Sequence, residues 1–259
     1  MSGYTIVETM IFLVISGVIL ATSLLFFRGR QARIQFTQGA REIEAKVKAT
    51  MNEVASGYYP NKGDFSCTAG PDGPVISVGS AEQGSNESCV FLGKVMKFQQ
   101  EGYDAYTVVG LRESGGSLST SLQESLPAIE ESIKESFNLP WGITITKVVS
   151  FDNGSVATKS SVGALQSLGE FDDSGAEEDV ISGSQSVSLI PVGTGLNDSF
   201  ETFENNVQAM KDSDRKPDKV YICLKSAGGD RQATIILGGQ GKQLNSELII
   251  DSNFEECEE

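Results

Sequence analysis

The chain has 259 residues, is 39% hydrophobic with 28 glycines, and carries a formal net charge of −15, enough for one sizeable domain or two small ones. It contains no histidine, which removes the Ser-His-Asp and Cys-His catalysts, the commonest metal ligand and the usual proton shuttle; an enzyme is not expected. The charge is unevenly placed. Glu8 is the only ionisable side chain of consequence before Arg28, and residues 28–48 then carry Arg28, Arg30, Arg33, Arg41, Lys46 and Lys48 against Glu42 and Glu44. Everything beyond that basic collar is strongly acidic, a surface that favours solubility and repels nucleic acid. No nucleic-acid partner is expected.

From Tyr4 to Phe27 the chain reads YTIVETMIFLVISGVILATSLLFF. About twenty apolar residues span a bilayer core of roughly 30 Å, so this run is long enough to cross a membrane. A secretory signal would need a basic n-region, a shorter apolar stretch and a small-residue cleavage site. Met1-Ser2-Gly3 brings no side-chain charge, and the run is too long. A plain anchor leaves Glu8 unexplained, since a carboxylate inside an apolar span is costly and marks a partner or a function.

Gly3-Tyr4-Thr5-Ile6-Val7-Glu8 resembles the processing signal of type IV prepilins and pseudopilins. The resemblance implies that a prepilin peptidase cuts after Gly3 and N-methylates Tyr4 as the mature N-terminus. It also implies that Glu8 guides subunits into a growing filament. A new α-amine is the complementary charge that a buried carboxylate needs, and a neighbouring subunit can supply it. Ser16-Gly17 falls where many pilins have a helix-loosening glycine; Leu25 stands where a proline is common, and Tyr4 replaces the more usual Phe. The positive-inside rule alone would place Arg28, Arg30 and Arg33 in the cytoplasm. Either a start upstream of Met1 or an assembly machinery that overrides the bias would reconcile the two.

Beyond the collar, Phe36, Ala40, Ile43, Val47, Met51 and Val54 recur at spacings of three and four, one apolar stripe on an amphipathic helix. Gly57-Tyr58-Tyr59-Pro60 is a stop signal. The expected organisation is a leader remnant at 1–3, a membrane or filament-core helix half at 4–27, an amphipathic half at 28–57, and a soluble extracytoplasmic head at 58–259. An anchor followed by a coiled-coil stalk is the plainer alternative.

In the head, residues 61–88 read as a Gly/Ser/Asp-rich loop holding Cys67, with Cys89 just beyond it, followed by strands at Phe91–Phe98 and Tyr106–Leu111. Leu122, Leu126, Ile129, Ile133 and Phe137 are spaced as a short amphipathic helix, and Trp141–Phe151 as a strand. Asp152-Asn153-Gly154 is a turn signal before a short returning strand. Residues 163–185 read as a long exposed loop. Phe200, Phe203, Val207 and Met210 mark another helix, and Lys219–Lys225, Arg231–Leu237 and Glu247–Ile250 a closing strand meander. The expected class is α+β, a long N-terminal helix packed on an antiparallel sheet.

The run Val220-Tyr221-Ile222-Cys223, with Gly228-Gly229, Arg231, Ile235-Ile236 and Gly241, is similar over about thirty residues to the C-terminal sheet of H-type minor pseudopilins and related minor pilins. Some minor pilins capture DNA through a basic C-terminus; this one ends Glu255-Glu256-Cys257-Glu258-Glu259, so that property does not carry over. Four cysteines in an exported domain favour two disulfides, with three pairings open. Cys67–Cys89 with Cys223–Cys257 is the local choice, and four reduced thiols the alternative. The absence of CxxC spacing disfavours zinc and thioredoxin-like chemistry. No cofactor is expected. Acidic loops at Asp172, Asp173, Glu177, Glu178 and Asp179, and at Asp212, Asp214 and Asp218, offer hard oxygen donors for calcium, but neither has EF-hand spacing and solvated loops explain them as well.

The function so implied is a structural subunit of a type IV pilus or related filament, a homo-oligomer or a hetero-oligomer with other pilins. It would be a single-pass cytoplasmic-membrane protein before assembly and extracellular afterwards, serving adhesion or motility. The alternatives are a type II secretion pseudopilin and a membrane-anchored binding protein that never polymerises.

Overall fold

The computed structural model describes residues 6–56, 65–71, 73–78, 88–152, 154–168, 187–215, 219–238, 244–250 and 257, apart from the side chains of residues 24–29 and 65. Helix α1 runs unbroken from Ile6 to Ala55, about 75 Å at 1.5 Å per residue. The head then follows as β1 (Phe65–Gly70), β2 (Gly73–Val78), β3 (Cys89–Gln99), β4 (Gly102–Leu111), β5 (Glu113–Ser114) and β6 (Ser117–Leu118). Next come α2 (Leu122–Ser125), β7 (Lys134–Asn138), β8 (Thr144–Asp152), β9 (Ser155–Lys159), β10 (Ser161–Gln166) and β11 (Val187–Val192). The chain closes with α3 (Phe200–Gln208), β12 (Lys219–Lys225), β13 (Gln232–Gly238) and β14 (Asn245–Ile250). The fold is α+β, and among the described residues every strand pair is antiparallel.

Two five-stranded sheets make the head, where the sequence suggested one. Their orders are β11-β10-β3-β4-β7 and β14-β13-β12-β8-β9. The chain passes from the second sheet to the first at Ser160, between β9 and β10, where Ser160 N–H donates to Val192 O and Ser160 O accepts from Phe98 N–H. The stripe on α1 joins the facing sides of both sheets in one core. Phe36, Ala40, Ile43, Val47, Met51 and Val54 are all buried against Met96, Phe98, Val162 and Leu189 of the first sheet and Ile145, Val220, Ile222 and Ile235 of the second. Full burial of each large apolar side chain contributes roughly 2 kcal/mol. The opposite face of the first sheet is covered by α3, through Phe203 and Val207 on Val95, Tyr106 and Ile190.

The last turn of α1 is also tied by polar contacts. Lys94, buried in β3, reaches Glu53 Oε2 at 2.6 Å and Glu135 Oε1 at 3.5 Å. Gln166 Nε2 donates to Val54 O at 2.8 Å, satisfying one of the carbonyls that a helix end leaves open.

Three sequence expectations need correcting. The helix expected across Leu122, Leu126, Ile129, Ile133 and Phe137 stops after one turn: Leu126 is left-handed (φ 50°, ψ 73°), Pro127 follows it, and helical geometry is disfavoured before proline. Phe137 belongs instead to β7, paired with Tyr103 of β4. The loop expected from 163 begins inside β10, which is wholly buried; residues 169–186 lie outside the description. Finally, the loop region 61–88 contains the β1–β2 hairpin, with Cys67 opposite Ile76.

Candidate functional site

The first half of α1 is where the chain departs most from an ordinary soluble fold. Ile6–Ser23 is one helical window with mean hydropathy 2.1, none of it buried in the head. It is long and apolar enough to cross a membrane, about 27 Å at helical rise. Phe12 is 71% exposed and Leu13 68%. An apolar surface of this extent marks a membrane or protein contact. Within it Glu8 sits in the first turn of the helix. Thr9 and Thr22 turn their hydroxyls back onto carbonyls of the helix itself, Ile6 O for Thr9 and Val18 O and Ile19 O for Thr22, so neither presents an open donor to an apolar surrounding. Gly3 and Tyr4 lie outside the described residues.

The helix enters the head beside Gly39. A Cβ built there would lie 3.0 Å from Trp141 Cε3 and collide with Ile143 Cδ1, so glycine allows the Pro140–Gly142 turn to close on the helix backbone. Trp141 adopts a left-handed conformation (φ 51°, ψ 33°), an outlier for a bulky side chain, and stays half exposed.

Cys67 is bonded to Cys89, Cα–Cα 6.1 Å, and Cys223 to Cys257, Cα–Cα 5.7 Å. The first joins the β1–β2 hairpin to the start of β3. The second ties the C-terminal end of the chain to β12. Alkylation of the protein, purified without reductant, is expected to label no cysteine before reduction and four after it. Any label on unreduced protein would contradict these bonds. Loss of either one is expected to cost about 2–4 kcal/mol.

Of the acidic residues weighed as calcium donors, Asp212 is engaged by protein. Its Oδ1 accepts from Arg215 Nε at 2.6 Å and its Oδ2 from Leu122 N–H at 2.9 Å. Arg215 also donates to Leu165 O, Gln166 O and Ser188 Oγ, so this pair stitches α2 to the ends of β10 and β11. Asp214 Oδ2 accepts from Lys211 N–H. Asp218 and the residues at 172–179 lie outside the description. Among the described residues no group of three or more His, Cys, Asp or Glu is placed to hold a metal ion.

One polar arrangement is absent from the sequence reading. Across the outer face of the first sheet, Ser161, Lys97, Asp104 and Ser136 stand opposite one another in register. Asp104 accepts from Ser136 Oγ at 2.6 Å, Lys134 Nζ at 3.0 Å and Gln99 Nε2 at 3.3 Å. That hydrogen bond with Asp104 raises the Lys134 ammonium above its usual range. Burial lowers Lys97, against the opposing fields of Asp198 and Asp104, and its ammonium lies 5.3 Å over the Phe203 ring. The available signal was the pair Lys94 and Lys97 inside an otherwise apolar strand: three apart, they fall on opposite faces.

No protein-family model, no characterised protein and no solved structure matches the chain. What it does has to be read from its own residues.

Proposed function

We propose that the chain is a type IV pilin-like filament subunit, held in the cytoplasmic membrane by the exposed half of α1 before assembly and packed through that half in the filament core afterwards. The observation that carries this reading is the division of one continuous helix. Residues from Phe36 onward form the spine of the head, while Ile6–Ser23 is apolar, exposed and includes a carboxylate. A simple anchor needs neither the rigid continuity nor Glu8. In a filament both have a use: the continuous helix fixes each head relative to the core, and Glu8 meets the α-amine of a neighbour. The acidic heads would face outward, available for adhesion or motility, with other pilins as partners and a prepilin peptidase acting first.

One feature favours the secretion pseudopilin as a second reading. The region similar to H-type pseudopilins is an antiparallel pair, β12 with β13, with Cys223 opposite Thr234. The same helix architecture would then serve a short secretion piston.

Intact-mass measurement of protein taken from membranes or sheared filaments is the direct test. It is expected to give a chain beginning at Tyr4 with one added methyl group. A mass retaining Met1 or Ser2 would overturn the processing on which assembly depends.

A further inference from the structure

Between Glu8 and Glu42 the chain holds Arg28, Arg30, Arg33 and Arg41 and no acidic residue. The rest of the chain is the reverse, acidic enough to bring the whole to −15. Arg28, Arg30 and Arg33 stand one, three and six residues past Phe27, where the apolar run ends, on a helix that continues without a break from Ile6 to Ala55. At helical rise that is about 1.5, 4.5 and 9 Å beyond the end of the run. The polar layer on each side of a bilayer core is roughly 5–8 Å deep. A helix that spans with this run therefore carries its first three cations through that layer.

The collar is a ring more than a face. At about 100° per residue, the backbone positions of Arg30 and Arg33 lie about 200° and 140° round the helix from Arg28. A protein partner would meet one flank of such a segment, whereas a shell of lipid meets all of it. Arg30 and Arg33 are exposed, and the core stripe that packs α1 into the head begins beyond them at Phe36. All three cations are arginine, whose planar fork matches a phosphate group with two parallel hydrogen bonds.

We infer that the collar binds anionic phospholipid headgroups, their phosphate oxygens accepting from the guanidinium groups at the depth where the span leaves the hydrocarbon. The inference rests on the membrane-spanning reading of α1 and is independent of polymerisation. It holds for either face of the membrane. A basic segment beside a span is drawn to an anionic surface by each of its cations, while the acidic head is repelled by the same surface. The collar therefore gathers anionic lipid around the helix, and the head is held off the bilayer.

The test uses the full chain reconstituted in phosphatidylcholine vesicles. Flotation after an alkaline carbonate wash first reports insertion; a chain that washes off has no span, and the span and the collar assignment fall together. For the inserted chain, electron paramagnetic resonance of trace spin-labelled phosphatidylglycerol and phosphatidylcholine reports which lipid occupies the shell beside the protein. Phosphatidylglycerol is expected to be favoured at least about threefold at low salt. The preference is expected to fall towards equality in Arg30→Gln/Arg33→Gln and, for the native chain, in about 1 M salt. Arg112→Gln, a charge loss at an exposed position of the head, is expected to leave the preference unchanged. Inserted protein without a preference, a preference kept by the double variant, or an equal loss in Arg112→Gln would each overturn the collar assignment and leave the span standing. Loss of the preference on adding inorganic phosphate at constant ionic strength would point to a soluble phosphate ligand, and would overturn the assignment to lipid.

Discussion

Glu8→Gln is expected to leave the membrane pool of the protein intact and to lower its incorporation into filaments at least tenfold. The variant keeps the size and most of the hydrogen-bonding capacity of the side chain and removes only its charge. Membrane insertion depends on the apolar window Ile6–Ser23, which the change does not weaken. The head is also unaffected, because contact with it begins near Phe36. On the proposed reading, what changes is the energy of assembly: in a filament core the carboxylate would be desolvated, and the matching cation brought to that depth would be the α-amine of Tyr4 on a neighbour. Arg28, the first basic residue beyond Glu8, is twenty helical residues away, roughly 30 Å. Removing one partner of a buried ion pair costs about 3–5 kcal/mol, and about 1.4 kcal/mol is already a tenfold change. Glu8→Leu separates the competing readings: it partitions into lipid better than the native residue, so a plain anchor would tolerate it, whereas assembly should fail as with glutamine. The measurement is sheared-filament yield against membrane-pool abundance for the three chains. Wild-type assembly by both variants would refute the pairing role and favour an anchored protein that does not polymerise.

Gly93→Ala is expected to destabilise the head by about 4 kcal/mol, lowering its Tm by roughly 10 °C. Gly93 lies where the register between β3 and β4 shifts, opposite Leu165 of β10. Its φ is +146°, a conformation that L side chains rarely adopt. A Cβ there would run into the carbonyl oxygen of Ala164 and lie 2.9 Å from the Cα of Leu165. Both obstacles are backbone, so relief requires β10 to move off β3. That movement would loosen Ala164 and Val162 in the core around α1 and Leu165 in the core under α3. Gly115→Ala is the control, since it too has positive φ (+63°) but nothing lies within 4 Å of the added carbon. It should lose only about 1 kcal/mol of backbone strain. Thermal unfolding of the full chain in detergent measures both; equal losses would show that the β3–β10 approach is not the constraint.

The parts of this fold that could be read from the sequence are those where local pattern and tertiary contact agree. The stripe from Phe36 to Val54 is spaced for one face of a helix, and each of its six residues is 3% exposed or less. Strand β12 has the expected bounds, Lys219–Lys225, because Val-Tyr-Ile-Cys-Leu suits a buried strand. Elsewhere tertiary pairing outweighed local periodicity. The apolar spacing from Leu122 to Phe137 fits a helix, but Pro127 stops it and β4 offers Lys134–Asn138 a strand partner. The part of β10 from Gly163 onward read as a loop because Gly163 and Ala164 are small; a Cβ added at Gly163 would lie 3.2 Å from Val95 Cγ2 of β3. β11 carries Pro191, which is permitted at the edge of its sheet. At the candidate sites, Glu8 was conspicuous as a lone charge in an apolar run. The polar row through Lys97 was not, since it is assembled from β3, β4, β7 and β10, and no local pattern records such a meeting.

The attachment of α1 to the head has a mechanical consequence. A pull on the exposed apolar half is transmitted along the helix axis through one uninterrupted ladder of backbone hydrogen bonds. The stripe from Phe36 to Val54 lies along that axis inside the core, so its contacts are loaded together in shear and must yield together. At the far end the Lys94–Glu53 bridge and the Gln166–Val54 hydrogen bond hold the last turn against withdrawal. The load then passes into β3 and β10, neighbours within one sheet, and is spread over their ladder. A tensile force applied to the span therefore meets the head at its most resistant geometry, and the helix serves as the tendon of the molecule as well as its spine.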